Sequence, residues 1–373
     1  MSQRKRRKPP FRAEHVGSLL RPAPLIAARK KYQAGKLSAA ALREVENTAI
    51  RAAVRMQEEL GLQAVTDGEF RRDSWHMDFL YQIGGLSRAK NAQPVSAQNP
   101  LHSPGTMPSV LEVTGPIELQ KTIFGPDFAF LKSVSRGIPK ISIPSPGMLH
   151  YRGGLAAIDA AIYPQIREFW SDLQSTYADQ IAALAELGCR YLQLDDTSLA
   201  YLTDPAQREH MRRLGRDPKK QHNVYIELIN GALAHRPTRM TVCTHLGRGN
   251  FRASWLASGD HDDVAEALFS ELDVDGFFLD YDEGSSGGFE ALRFVPKRKY
   301  VVLGLVSPNR SALESKDAIK RRIDAAAKYV PLEQICLSPQ CGFAPTAEDK
   351  TLTLKEQRAK LALVVETARE VWG

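Results

Sequence analysis

The strongest constraint on the fold of this chain is an alternation, repeated along its whole length, between short apolar runs and longer amphipathic stretches. Several runs are apolar almost without interruption, such as VVLGLV at 301–306 and GFFLDY at 276–281, which is typical of parallel strands covered on both faces. Eight runs are therefore predicted to be strands: 15–18, 64–70, 140–146, 191–196, 240–245, 276–281, 300–307 and 334–339.

The amphipathic stretches between these runs predict helices. In the stretch 38–60, apolar residues recur at the spacing of one helix face, and Gly61 follows where such a helix would end. Similar stretches at 162–187, 316–329 and 354–371 are also predicted to be helices. Alternating strands and helices predict an α/β protein, and eight such units favour a (β/α)8 TIM barrel over an open doubly wound sheet.

A single barrel domain is expected to span 12–373, with one insertion and one tail. The segment 109–118 (SVLEVTGPIE) predicts an extra strand or hairpin before the third barrel strand, and 84–108, which has no periodicity, is expected to be an exposed loop. The net charge is +7, and five of the basic residues lie at 4–8. We expect 1–11 to be a disordered, solvated basic tail; a nucleic-acid contact is the alternative interpretation.

The composition narrows the class of protein. With 43% hydrophobic and 25% charged residues, the chain can build a large core, which excludes a disordered or collagen-like chain. No stretch reaches the ~18–20 apolar residues of a membrane-spanning helix, so a soluble protein is expected. Four cysteines in 373 residues do not form a disulfide framework, and a cytoplasmic location with reduced thiols is the expectation.

In a barrel of this kind the catalytic groups lie at the carboxyl ends of the strands. Four predicted strand ends carry carboxylates, and like charges crowded at one barrel mouth require a cation to offset them. His245, Asp280 and Cys341 come from three different strand ends and offer one nitrogen, one oxygen and one sulfur ligand, a set that suits zinc with an open fourth position. Taken singly, such residues are more often helix caps or core side chains.

Several of these segments together resemble a known family, the catalytic domain of cobalamin-independent methionine synthase, and more closely its short, single-domain relatives. The resemblance spans about 12–373 and implies a TIM barrel that moves a methyl group from a methyltetrahydrofolate to the thiol of homocysteine, which zinc holds as a thiolate. The runs that carry it are RAEHVGSLLRP (12–22), VTDGEFRRDSWHMDFL (65–80), YLQLDD (191–196), THLGRGNFR (244–252), LRFVPKRKYVVLGLVS (292–307) and LSPQCGFA (337–344).

The resemblance also assigns zinc ligands. The family's His matches His245 and its later Cys matches Cys341, whereas its Glu position is Asp280 and its first Cys position is Gly247. The implied ligand set is therefore altered, with one thiolate fewer and one shorter carboxylate. Cys243, two residues before His245, would need a distorted strand to replace the missing ligand, and the alternative is a core side chain.

The amino-acid substrate of the family is held by residues that this chain retains. The Gly-Ser turn after the first strand matches Gly17 and Ser18. The two carboxylates that face the substrate's ammonium group match Glu69 and Asp195, and such pairs form charge-assisted hydrogen bonds.

Other departures from the family keep alternative functions open. The family's folate-linked His near the end of the seventh strand is absent from 306–308 (VSP), and Asp282 and Glu283 would make the site richer in oxygen, which suits a harder metal. The alternatives are a diverged barrel enzyme of another class (a lyase, a hydrolase or a thiol-adding enzyme) and a non-catalytic barrel that binds an amino acid. The expected partner is a small thiol or amino acid, with no nucleic acid and no membrane.

Overall fold

The computed structural model of this chain describes residues 8–88, 111–153, 158–202, 208–209, 211–212, 217–247, 262–281, 288–346 and 352–373. The strands of this part are β1 (Ala64–Val65), β2 (Gly84–Arg88), β3 (Leu111–Glu118), β4 (Ile138–Pro144), β5 (Tyr191–Asp196), β6 (Thr241–Leu246), β7 (Gly276–Asp280), β8 (Tyr300–Val306) and β9 (Ile335–Pro339). Seven of the described strands form one parallel sheet in the order β1-β4-β5-β6-β7-β8-β9.

The segment before β1 closes this sheet into a barrel. On one side, the Glu14 N–H donates to the Leu337 carbonyl of β9 at 2.9 Å, and on the other the Leu19 N–H donates to the Gly68 carbonyl just after β1 at 3.0 Å. The segment therefore lies between the first and last strands of the sheet, in the position of an eighth barrel element. The predicted TIM-barrel fold is confirmed.

The prediction of a strand at 15–18 is wrong, however, because carbonyl groups of this segment accept hydrogen bonds from side chains. Lys140 donates to the carbonyl of His15, Gln193 to that of Val16 and Thr66 to that of Gly17. The one strand-like bridge in this segment of the described chain joins Ala13 to Leu337. The predicted strand 64–70 is likewise cut to Ala64–Val65, and the other six predicted strands are present with small shifts at their ends.

Several of the described helices begin at a residue whose side chain caps the first turn. The Ser38 side chain accepts from the Ala41 N–H at 3.2 Å before α2, and Gly61 ends that helix with a φ of 94°. All four predicted helices are present, and none of the described helices is long and apolar enough to cross a membrane. The α-helices are α1 (Ala23–Gln33), α2 (Ala39–Leu60), α3 (Met77–Leu80), α4 (Gly125–Val134), α5 (Gly147–Gly153), α6 (Ile166–Glu186), α7 (Ser198–Tyr201), α8 (Pro218–Leu233), α9 (Asp262–Glu271), α10 (Lys316–Ala326) and α11 (Leu354–Trp372), with 3₁₀ turns at Glu290–Phe294 and Leu332–Gln334.

The predicted insertion before the third barrel strand is an antiparallel hairpin of β2 and β3. Its second strand agrees with the predicted segment 109–118, and the Ile117 N–H donates to the Tyr163 hydroxyl at 2.7 Å, which ties the hairpin to the chain before α6. The prediction of a loop from residue 84 is wrong for 84–88, because these residues pair with β3. The remainder of that predicted loop, 89–108, lies outside the described residues.

The barrel interior is small and is closed at its base by the amino-terminal segment. Its apolar cluster consists of Phe11, Val16, Ala64, Tyr191, Cys243, Phe278, Val302 and Cys336. Phe11 is 2% exposed and Pro10 is also buried, whereas Lys8 is exposed. The packed chain therefore begins inside the segment 1–11 that was expected to be a tail, of which residues 1–7 lie outside the described part.

Candidate functional site

A cavity of about 120 Å³ opens at the carboxyl ends of the barrel strands. Ser18, Glu69, Asp195, His245 and Cys341, five of the predicted site residues, line it directly. The other predicted residues adjoin it: Asp280 contacts His245, and a Cβ on Gly17 would lie 3.3 Å from Glu69 Oε1. Besides these residues the wall contains Val16, Trp75, Asp196, Thr197, Gly247, Gly342 and Pro345.

His245 lies between two carboxylates that neighbouring strands supply. Asp195 on β5 is in register with His245 on β6, and its Oδ1 is 3.6 Å from His245 Nδ1. Asp280, the last residue of β7, has its Oδ1 3.3 Å from His245 Nε2. Burial lowers the pKa of His245, but the charges of Asp280 and Asp195 outweigh it and raise the pKa to about 10. The imidazole is thus protonated at neutral pH in this structure, and a metal ion at Nε2 would replace that proton.

The His245–Asp280 pair fits a shared zinc ion. Two ligands of one tetrahedral zinc, each about 2.0–2.1 Å from the metal, lie about 3.3 Å apart, which is the Nε2–Oδ1 separation of 3.3 Å. Cys341 lines the same cavity, and burial together with the negative charge of Asp280 raises the pKa of its thiol. Within the described residues no group of three His, Cys, Asp or Glu side chains is compact enough to hold a metal ion as it stands. Cys341 would therefore complete the ligand set only after its side chain moves toward the other two.

Gly247, which stands at the family's first cysteine position, and Cys243, the possible replacement ligand, lie in different places. A Cβ built on Gly247 would lie 3.1 Å from His245 Cε1, so residue 247 faces the imidazole and the glycine leaves that side of the ring open. Cys243 is fully buried in the barrel core beside Phe278 and Val302, and burial raises the pKa of its thiol. The structure thus gives Cys243 a core position, and Asp282 and Glu283 lie outside the described residues.

Glu69 is a buried carboxylate with an incomplete set of partners. Its backbone has a φ of 59°, in the left-handed region that a non-glycine residue adopts only at a cost. Its Oε1 accepts from Ser142 Oγ at 2.9 Å and lies 3.8 Å from an Arg72 guanidinium nitrogen, while its Oε2 is buried without a hydrogen-bond partner. Burial raises the pKa of Glu69, and Arg72 opposes that rise. This oxygen is available to accept a hydrogen bond from a ligand.

Ser18 is held by the loop that carries Cys341. The Phe343 N–H donates to the Ser18 carbonyl at 3.0 Å, and the Ala344 N–H donates to Ser18 Oγ at 3.4 Å. A Cβ on Gly342 would lie 2.0 Å from Ser18 Oγ, so that only glycine allows this approach. The serine and the cysteine are therefore fixed relative to one another by backbone contacts.

Two neighbouring aspartates at the end of β5 are used differently. Asp196 accepts hydrogen bonds from the Ser145 hydroxyl, from Ser198 Oγ at 2.9 Å and from the Leu199 N–H at 2.7 Å, which caps the turn into α7. Asp195 instead accepts from Gln193 Nε2 at 2.6 Å and faces His245. Asp196 is thus committed to the fold, and Asp195 is oriented toward the cavity.

Sequence reasoning missed the polar side chains below the cavity, Lys140 and Gln193. Lys140 is 1% exposed and Gln193 is fully buried, and both lie inside the barrel. A signal was present, because a lysine and a glutamine each stand within otherwise apolar predicted strands (KISIP and YLQLDD). Such residues are rarely buried unless they are paired, which marks them as candidates for a specific role.

Comparisons with known proteins agree with this geometry. The uncharacterised protein YxjH of Bacillus subtilis (strain 168) is 44% identical over 370 residues, which cover 99% of this chain and 96% of the relative. The methionine synthase of Saccharolobus solfataricus is 25% identical over 360 residues, which cover 95% of this chain and 93% of that enzyme. A solved Listeria monocytogenes protein, described as a candidate vitamin-B12-independent methionine synthase, superposes with a TM-score of 0.79 at 37% identity over 99% of this chain and 100% of the other.

The family itself is identified by its sequence model. The model of the catalytic domain of cobalamin-independent synthases matches residues 11–131 and 164–370. These ranges include all seven predicted site residues and leave out the segment that contains α5. The chain therefore belongs to the cobalamin-independent methionine synthase family of methyltransferase enzymes.

Proposed function

We propose that this chain transfers a methyl group from a methyltetrahydrofolate to the thiol of an amino-acid acceptor, homocysteine, with zinc as its metal. The observation that carries the proposal is that one cavity of about 120 Å³ is bordered both by a His–Asp pair at the spacing of two zinc ligands and by two carboxylates suited to an ammonium group. Family membership supplies the reaction class.

The amino-acid end of the acceptor is assigned to Glu69, Asp195 and Ser18. An ammonium group has three donors, and Glu69 Oε2 has no hydrogen-bond partner among the described residues. Asp195 supplies a second negative charge on the same cavity, and Ser18 Oγ is available to the acceptor's carboxylate. Sites for drug-sized ligands typically measure about 300–1,000 Å³, so this cavity is small and suits an amino acid. The larger methyl donor is assigned to the open side of the cavity.

The thiol end of the acceptor is assigned to the metal ligands His245, Asp280 and Cys341. When bound there, zinc would keep the acceptor's thiol deprotonated, and a thiolate is the reactive nucleophile. Glu69 and Asp195 fix the amino group, so the acceptor's sulfur is aimed from one direction. The sulfur attacks the methyl carbon, the S–C bond forms as the N–C bond breaks, and the electron pair stays on the donor nitrogen, which then takes up a proton.

The test is to measure metal content and methyl transfer together on the purified chain. We expect about one zinc per chain, with methyl transfer from methyltetrahydrofolate to homocysteine. Cys341→Ala should lower the zinc content and reduce the rate about a thousandfold, because the thiol is no longer activated. Cys336→Ala is the matched control: this cysteine lies on β9 in the barrel core, so its loss should leave the metal in place.

Each other outcome contradicts the proposal in a different way. Binding of homocysteine without metal or turnover would favour the non-catalytic amino-acid-binding barrel. Turnover of a substrate that carries no methyl group, with a metal that survives Cys341→Ala, would favour an enzyme of another class with oxygen ligands.

A further inference from the structure

A chain of buried polar groups rises through the barrel and ends at the cavity. Lys140 on β4 is 1% exposed, and its Nζ donates to Gln193 Oε1 at 3.1 Å and to the His15 carbonyl. Gln193 on β5 in turn donates its Nε2 to Asp195 Oδ1 at 2.6 Å and to the Val16 carbonyl at 2.7 Å. Hydrogen bonds therefore connect Lys140 to the carboxylate of Asp195 without a break.

These contacts allow only one orientation of the Gln193 amide. A lysine ammonium donates and cannot accept, so the amide atom that faces Lys140 must be the oxygen. The Val16 carbonyl accepts and cannot donate, so the amide atom that faces it and Asp195 must be the nitrogen. Lys140 and the Val16 carbonyl together ensure that Gln193 presents a donor to Asp195.

Lys140 is itself held rigidly. Its Nζ lies 3.6 Å from Glu14 Oε2 and over the rings of Phe278 and Tyr191, at 4.8 and 5.3 Å from their centroids. Neither Lys140 nor Gln193 belongs to the cavity wall. They can influence a bound ligand only through the cavity residues that Gln193 contacts, Asp195 and Val16.

We propose that Lys140 and Gln193 are positioning residues, which hold the Asp195 carboxylate toward the acceptor's ammonium and so make the site selective for α-amino acids. This inference rests on the proposed function, because it assumes an amino-acid acceptor at Asp195. The Asp195 Oδ1 that accepts from Gln193 also lies 3.6 Å from His245 Nδ1; without the Gln193 donor this carboxylate is no longer held in place, and the ammonium loses one of its two fixed carboxylates. The thiol and carboxylate contacts of the acceptor are unaffected.

The experiment compares the affinities of each protein for homocysteine and for 4-mercaptobutanoate, which has the same thiol and carboxylate but no amino group. Calorimetry on the zinc-loaded chain gives the ratio of the two affinities. Gln193→Met retains the length of the side chain but has no group that can donate to Asp195. We expect this variant to reduce the preference for homocysteine about tenfold or more, with little change for 4-mercaptobutanoate. Lys140→Met should also reduce the preference for homocysteine. Asp195→Asn removes the charge of the carboxylate itself and therefore shows the largest reduction to expect.

The matched control is Lys299→Met. Lys299 is also 1% exposed, but its Nζ donates to the carbonyls of Phe269 and Leu272, at 2.7 and 2.6 Å, around the end of α9. This variant should leave the ratio unchanged, which separates loss of any buried lysine from loss of the contact to Asp195.

The possible failures are distinguishable. A folded Gln193→Met protein with the wild-type ratio overturns the inference and leaves the proposed function standing; Gln193→Leu replaces it if the methionine variant does not unfold cooperatively. A wild-type protein that binds both ligands equally contradicts the assignment of Glu69 and Asp195 to an ammonium group, and with it the proposed function.

Discussion

Two buried glutamates, one at the base of the barrel and one at its mouth, have contrasting surroundings. At the base, Glu14 is 0% exposed, accepts from the Phe11 N–H at 2.8 Å and from the Tyr191 hydroxyl at 3.0 Å, and faces Lys140 at 3.6 Å. At the mouth, Glu69 is 4% exposed and accepts one hydrogen bond, from Ser142, on a strained backbone. Neither Oε2 accepts a hydrogen bond within the described residues, but Glu14 Oε2 faces the Lys140 ammonium, whereas Glu69 approaches Arg72 through Oε1 and leaves its Oε2 for a ligand. A carboxylate's partners, more than its burial, therefore separate structural from functional roles in this barrel.

The largest effect on stability is expected at the base. Glu14→Gln retains the size of the side chain but removes its charge, which leaves Lys140 buried without an opposite charge beside its ammonium. Breaking a buried ion pair by removing one partner costs about 3–5 kcal/mol, and we expect a loss of this size in the free energy of unfolding. Urea denaturation followed by tryptophan fluorescence measures it.

A double variant provides the control for this prediction. Glu14→Gln with Lys140→Met removes both charges and should recover much of the stability lost in the single variant, because no unpaired charge remains. If Glu14→Gln alone costs less than about 1 kcal/mol, the Glu14–Lys140 ion pair does not stabilise the base of the barrel as predicted.

The next effect in size concerns the adjacent aspartates of β5. Asp196→Ala leaves the Ser145 and Ser198 hydroxyls and the Leu199 N–H without their acceptor, and we expect a loss of about 2–3 kcal/mol of stability. Asp195→Ala should change stability by less than about 1 kcal/mol and should weaken homocysteine binding. Thermal unfolding measures the stability of the two variants, and calorimetry measures their affinity for homocysteine. Equal losses of stability would contradict the assignment of a structural role to Asp196 and a binding role to Asp195.

Much of the fold and of the site follows from local sequence patterns. The apolar runs predict the strands, and the parallel arrangement then brings their ends together, which is why Asp195, His245 and Asp280 could be grouped before their distances were known. Resemblance to the family added Gly17, Ser18 and Glu69. The strand predictions succeed because each depends on a short segment, whereas the roles assigned to the site residues stay predictions.

What failed depends on contacts between distant segments. The segment 15–18 has a strand-like pattern, but its carbonyls accept from Thr66, Lys140 and Gln193, which are 49 to 177 residues away in the sequence. The separate roles of Asp195 and Asp196 likewise depend on Ser145, which lies on another loop. No single segment contains this information, so pattern and spacing could not supply it.

A smaller effect is expected at the altered ligand position. Gly247→Cys would supply a thiolate beside His245, because a Cβ at this position lies 3.1 Å from the ring. The contact is tight, so part of the gain is lost to adjustment, and we expect zinc to bind about tenfold more tightly. Competition with a chromophoric chelator measures the affinity. Gly247→Ala is the matched control, since it adds the Cβ without the sulfur; equal affinities in the two variants would mean that residue 247 does not reach the metal.

The smallest effect is expected at Glu69, where replacement by glycine should increase the stability of the fold. Glu69→Gly relieves a backbone φ of 59° and removes a buried carboxylate. Arg72, 3.8 Å from that carboxylate, keeps its hydrogen bond to the Ser142 carbonyl at 2.8 Å and its position over the Phe124 ring. The strain is worth about 1–3 kcal/mol, and the extra freedom of glycine in the unfolded chain takes back about 0.5–1 kcal/mol. We expect the variant to be about 1 kcal/mol more stable while it loses affinity for homocysteine, which urea denaturation and calorimetry measure on the same samples.

The pH dependence of that gain separates its two causes. Burial raises the pKa of Glu69 above its ordinary value of 4.5, so the folded chain holds this proton more tightly than the unfolded chain does. Glu69 therefore destabilises the fold increasingly as pH rises from about 4.5 through its raised pKa, whereas the backbone strain does not depend on pH. The stability difference between Glu69→Gly and wild type should accordingly be larger at pH 7 than at pH 5. A difference that is constant with pH would assign the whole gain to the backbone.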